Sequence, residues 1–155
     1  MDIKKHITAL GFVPKNGTNG IYHKIYVDYA IEIDFETQSI NYGSAITAES
    51  KTTQNFSQPE NFVVLECVDR LLTKGYKPQN IVLEKTWPSG HGTSGRLDIC
   101  VNREDGTQYM LIECKTFGKE YDKELARIRK DGGQLFTYFQ LSGSKADVLM
   151  LYASE

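Results

Sequence analysis

The sequence predicts an α/β protein, a mixed β-sheet flanked by helices with a β-meander at its N-terminus. Three observations carry that expectation. Between residues 21 and 42 polar and apolar residues alternate with period two, in IYHKIYV, YAIEIDFE and QSINYG. After residue 58 the patterns follow one another as helix, strand, strand, strand, helix, strand, the layout of a sheet covered by helices. The chain has 155 residues, 40% hydrophobic and 25% charged, which suits one globular domain able to bury a core.

In chain order, residues 3–10 predict a short helix ended by Gly11, and Pro14 to Gly20 a loop. Ile21 to Tyr42 reads as a three-stranded meander, and the polar residues 43–58 as a linker. We therefore expect an N-terminal appendage over 1–50 and a core over 51–155. Ser57-Gln-Pro-Glu60 matches a capping box opening a helix over about 59–74, with Val64, Leu65, Val68, Leu71 and Leu72 on one face and Gly75 as its stop. Ile81 to Lys85 is a strand, followed by a Gly-rich loop and a hairpin. Residues 119–141 predict a long helix weakened at Gly132-Gly133, and Asp147 to Tyr152 a last strand.

Composition narrows the function classes. No apolar run approaches the roughly 20 residues of a membrane span, and MDIKKHITAL lacks the apolar centre of a signal peptide. Cys67, Cys100 and Cys114 are odd in number and set in apolar segments, as reduced core residues of a cytoplasmic protein would be. The net charge is −2, so any nucleic-acid surface has to be a local patch.

The most informative stretch is Gly95–Lys115, GRLDICVNREDGTQYMLIECK. Two β-rich runs flank Asp105-Gly106, a two-residue hairpin signal. With those two residues as the turn, Asp98 lies directly opposite Glu113, at a Cβ separation of about 4.5–5.5 Å. Alternation sends Lys115 to the face of Glu113 and Cys114 to the other. Two opposed carboxylates inside apolar runs repel and raise each other's pKa. A divalent cation removes that penalty, and Mg²⁺, which keeps several waters, suits a site of two carboxylates. The alternative is a solvated strand with scattered charges.

Gly90-His-Gly-Thr-Ser-Gly95 matches GxGxxG, but a strand follows it where a dinucleotide fingerprint needs a helix. We read it as a loop beside the site, with His91 a loop residue. On the long helix, Lys119, Lys123, Arg127, Lys130, Gln134 and Tyr138 fall within about a 100° arc. Leu125, Ile128, Leu135, Phe136 and Phe139 fall opposite. That predicts a basic stripe running into Gln134 and Tyr138, with a core face behind it.

Asp98, the Glu113-Cys-Lys115 triplet and the order of elements resemble the PD-(D/E)XK nuclease superfamily. Gln134-Leu-Phe-Thr-Tyr138 is similar to the QxxxY motif of some of its branches. LECVDRLLTKGYKPQNIVLEK and IECKTFGKEYDKE look most like the N-terminal nuclease domain of type I restriction enzymes. The likeness covers residues 59–152, with Leu97 where the motif name has Pro. It implies a restriction-endonuclease-like αβββαβ core and a Mg²⁺-dependent endodeoxyribonuclease, with Mn²⁺ as a substitute. Asp98, Glu113 and the backbone carbonyl of Cys114 would hold the metal. Lys115 would act at the attacking water or the phosphate, and Gln134 and Tyr138 would position the metal site or the DNA backbone. Glu66 would be a helix-borne acid, and Lys119, Lys123, Arg127 and Lys130 would track the DNA. The implied partners are DNA and the motor and methyltransferase modules of a larger restriction-modification chain or complex, with no membrane. The alternative is a non-cleaving DNA-binding or assembly module on the same fold.

Overall fold

The computed structural model describes residues 2–88 and 95–154; the reading of His91 and of the loop at 89–94 lies outside the described residues. Helix α1 (Ile3–Ala9) opens on Asp2, whose carboxylate accepts the Lys5 amide at 3.2 Å. Four short strands follow, β1 (Val13–Pro14), β2 (Ile21–Tyr26), β3 (Tyr29–Asp34) and β4 (Ser39–Asn41). They form one antiparallel sheet in chain order. The meander thus has a fourth strand at its edge, where Pro14 costs no ladder hydrogen bond. Alternation buries Ile31, Ile33 and Ile40.

The segment expected as a linker is built into the structure. Strand β5 (Thr47–Ala48) pairs in parallel with β6 (Ile81–Thr86), and Ile46 and Thr53 are buried. Its polar composition concealed that, because its threonines and asparagines serve as hydrogen-bonding groups inside the fold.

Helix α2 (Glu60–Thr73) forms where its periodicity placed it, but the capping box does not. Pro59 stands at the N-cap, no side chain caps the helix, and Glu60 faces Lys115 instead. The helix is buried on nearly every side from Asn61 to Asp69, not along one stripe. Its buried polar residues each anchor a neighbour. Asn61 donates to the carbonyls of Thr52 and Asn55, Glu66 accepts from Arg70 and Tyr152, and Asp69 accepts from Lys24 and Tyr26.

The second sheet runs β5-β6-β7-β8-β9, with β7 at Arg96–Asn102, β8 at Gln108–Thr116 and β9 at Val148–Ser154. Its middle pairs are antiparallel and its two outer pairs parallel. The protein is therefore α/β, with a mixed five-stranded sheet beside the antiparallel meander. One buried cluster joins α1, the meander, α2 and one side of the five-stranded sheet, through residues such as Ile7, Phe12, Ile33, Phe62, Leu65, Ile99 and Ile112. A second packs Trp87, Leu97, Cys100 and Leu111 against Leu135 and Tyr138.

The long helix is two helices, α3 (Lys119–Asp131) and α4 (Gly133–Leu141), broken at Gly132 in the left-handed conformation. The single basic face running into Gln134 and Tyr138 is therefore corrected. Lys119, Lys123, Arg127 and Lys130 are exposed on α3, whereas Tyr138 on α4 is buried and Gln134 exposed. Phe136, expected in the core, is also exposed.

Candidate active site

The β7–β8 hairpin brings Asp98 to Glu113 by a route different from the one the turn sequence implied. The loop spans three residues, not two. Arg103 N–H donates to the Thr107 carbonyl, and Gly106 sits at φ 81° as a bulge residue. A second irregularity between Val101 and Asn102 shifts the register back. The two departures cancel, and Ile99 pairs with Ile112. One step further, Asp98 stands opposite Glu113. On its other side, β7 pairs Ile99 with Leu83 and Leu97 with Lys85, so Glu84 stands opposite Asp98. Three carboxylates thus lie in one row across three adjacent strands.

Each member of the row has different partners. Asp98 Oδ2 accepts the backbone N–H of Cys114 at 2.7 Å. Glu113 Oε1 accepts from Lys115 Nζ at 2.8 Å, while its Oε2 is buried without a partner among the described residues. Lys115 Nζ also donates to the Cys114 carbonyl at 2.9 Å and faces Glu60 at 3.4 Å. Glu84, almost fully buried, accepts the amides of Thr52 and Thr53 at 3.1 and 3.4 Å. It also accepts the Thr52 hydroxyl and pairs with Arg96 Nε at 3.4 Å. Cys114 turns the other way, into the core against α2.

These surroundings shift the titrations. Burial raises Asp98 above the usual carboxylate range, partly offset by the Cys114 amide. Burial raises Glu113 further, and the neighbouring Asp98 charge adds to it. Burial lowers the Lys115 ammonium, but Glu113 beside it more than compensates and leaves it raised. A proton or a cation shared by the pair relieves that strain.

The donor set fits Mg²⁺. The orphaned Glu113 Oε2, the second oxygen of Asp98 and the Cys114 carbonyl are hard oxygen donors, and Mg²⁺ takes few protein ligands and keeps water. Among the described residues no group of three or more His, Cys, Asp or Glu side chains forms a ready-made metal cage. Lys115 sits on one of these donors, the Cys114 carbonyl, and on the other oxygen of Glu113.

A cleft of about 470 Å³ opens over the Glu84 and Asp98 end of this row, lined by residues that include Glu60, Glu84, Arg96, Asp98, Thr116 and Glu120. Tyr138 reaches the site from α4. Its hydroxyl donates to the Arg96 carbonyl at 2.8 Å, and its ring lies where a Cβ on Gly95 would overlap it. Burial, then the charges of Glu113 and Asp98, push its hydroxyl up to about 12. The structure does not bring Gln134 to the carboxylates through a described side-chain bond; its backbone N–H caps onto Glu124 at 3.2 Å. Nor does it bring Glu66 there, since Arg70 and Tyr152 hold that carboxylate. The acid on α2 that does face Lys115 is Glu60.

Glu84, Arg96 and Glu60 are the site residues the sequence reading missed. For Glu60 a signal existed in its place at the helix N-terminus, which was spent on the capping box. For Glu84 and Arg96 the pairing of β6 with β7 was not legible. In comparison with known proteins, the chain matches no family model and no curated protein.

Proposed function

We propose that this chain is a metal-dependent nuclease domain that hydrolyses phosphodiester bonds in DNA, the module of a restriction-modification enzyme that its sequence motifs resemble. The observation that supports this reading best is Glu113, a buried carboxylate with one oxygen on Lys115 and the other orphaned, beside Asp98, which lines a cleft. A binding module has no use for opposed buried carboxylates, which destabilise a sheet unless a cation sits between them.

In this reading Asp98, Glu113 and the Cys114 carbonyl hold Mg²⁺, which when bound supplies Lewis-acid polarisation of the phosphate and a more acidic water. Lys115 leaves the carboxylates for the phosphate and steadies charge that develops there. Tyr138 fixes the start of β7, and with it the place of Asp98. The lysines of α3 contact phosphates, which position the strand without reading sequence.

The test is cleavage of plasmid and linear DNA with Mg²⁺, with Mn²⁺ and with EDTA, for wild type, Asp98→Asn and Lys115→Ala. Metal-dependent nicking lost in both variants is the expected result. DNA binding without cleavage under any metal would place the chain among non-cleaving modules on this fold.

A further inference from the structure

We propose that Arg96 is a phosphate-contacting residue of the cleft, held in place by Glu84 and Tyr138 as positioning residues. This rests on the nuclease reading above and adds to it a second cation, on the opposite side of Asp98 from Lys115.

The argument begins with strain. Glu84 lies inside β6, in the middle of the sheet, at φ 54°. A non-glycine residue there is strained and persists only where its surroundings impose it. The β6–β7 ladder pairs the residues on either side and skips this one. The twist places the carboxylate against the Thr52 and Thr53 amides, the Thr52 hydroxyl and Arg96 Nε. Both carboxylate oxygens are engaged by the protein's own donors, so Glu84 is an anchor and not an open ligand for a cation.

What it anchors is Arg96. The arginine's backbone carbonyl accepts from Tyr138 and its Nε pairs with Glu84 at 3.4 Å, while its side chain remains 50% exposed on the cleft wall. A guanidinium that faces its partner carboxylate with Nε can turn its Nη edge, the fork that matches a phosphate, toward the cleft. The need for such a group follows from the charge of the cleft. Its wall carries Glu60, Glu84, Asp98 and Glu120, and Arg96 is the one cation among the described lining residues. Lys115 lies deeper, against Glu113. A polyanion approaching this wall meets repulsion unless a cation faces it.

The experiment measures binding of the full chain to a short DNA duplex in EDTA, so that cleavage does not interfere, across a range of salt. Arg96→Ala should bind roughly tenfold more weakly, the scale of one charge-assisted hydrogen bond. Its salt slope should fall by roughly 0.9, the value for one neutralised phosphate. Arg96→Lys should restore the slope with only part of the affinity. A single methylphosphonate walked along the strand should find a position that weakens wild type and leaves Arg96→Ala unchanged. Thermal melts of each variant confirm that it is folded. Wild-type affinity and slope in Arg96→Ala, or the same methylphosphonate penalties in both proteins, would show that Arg96 only neutralises Glu84. Wild type that cleaves with Mg²⁺ under those outcomes would retain the nuclease reading without this phosphate grip. Wild type that neither binds nor cleaves DNA would remove both.

Discussion

At the scale of single residues, Glu113 and Asp98 make the site pH-sensitive. Both carboxyls are raised when folded, Asp98 to about 6 and Glu113 to about 8. A carboxyl with a raised folded pKa holds a proton that the unfolded chain has lost. Its contribution is complete below about pH 4 and disappears as pH rises through the folded value. Lys115 is raised too, so its contribution is constant across that window. The metal-free protein should therefore lose roughly a few kcal/mol between pH 5 and pH 9, read as a Tm falling by several degrees in EDTA. Glu113→Gln should flatten the upper part of that decline, and added Mg²⁺ should raise Tm more at pH 8 than at pH 5. A pH-independent Tm in EDTA would mean the pair carries no such load. Asp98, Glu113 and Lys115 were legible in the sequence because one hairpin holds all three, although its turn was misread: the extra loop residue and the irregularity after Val101 offset each other. Glu84 and Arg96 were not, because β6 and β7 are joined by a longer loop that says nothing about which residues face each other.

At the scale of elements, the break at Gly132 decides what α3 and α4 can do. Gly132 has φ 86°, and a Cβ there would run into Phe136. Gly132→Ala should cost more than the roughly 1–2 kcal/mol of a left-handed alanine and lower Tm by at least several degrees. An unchanged Tm would mean that the two helices can fuse without penalty. The break also divides labour. Glu124 on α3, nearly fully buried, accepts the Gln134 amide and pairs with Arg127, tying the two helices together. Arg127 is thus partly structural, and the cleaner probe of the basic face is Lys119 with Lys123. Replacing both by glutamine should weaken DNA binding equally for all sequences and reduce the salt slope by roughly 0.9 for each phosphate no longer neutralised. Effects confined to stability, under about 0.5 kcal/mol, would leave that face as solvated surface. The sequence showed the weak point in its paired glycines. It did not show the direction of the turn, which depends on a left-handed residue and on how α4 seats Leu135 and Tyr138 against the sheet.

At the scale of the whole molecule, the meander and the five-stranded sheet share one buried cluster around α2. Lys24 and Tyr26 reach Asp69 on that helix, and Thr52 reaches Glu84 in β6. Damage to the meander should accordingly be felt at the site. Ile33→Ala should cost about 2–5 kcal/mol, and unfolding by denaturant should remain a single transition followed alike by far-ultraviolet dichroism and by Trp87 fluorescence. Two separate transitions would show that the halves are independent. Periodicity revealed β2 to β4 and β6 to β9 but neither β1 nor β5, and not the union of the two sheets, which joins an apolar cluster around α2 with polar contacts from that helix and the 43–58 segment. A last consequence follows from Lys115, whose ammonium rests on Glu113 and the Cys114 carbonyl. It is an internal competitor for the place of a cation, and a phosphate that draws it away frees those oxygens. Nucleic acid and divalent ion should then favour each other's binding, by the same factor in either order. Calorimetry of Mn²⁺ with and without a phosphorothioate DNA that resists cleavage should show tighter binding in its presence. Lys115→Ala, lacking the competitor, should bind Mn²⁺ at least as tightly as wild type and show less of this mutual reinforcement.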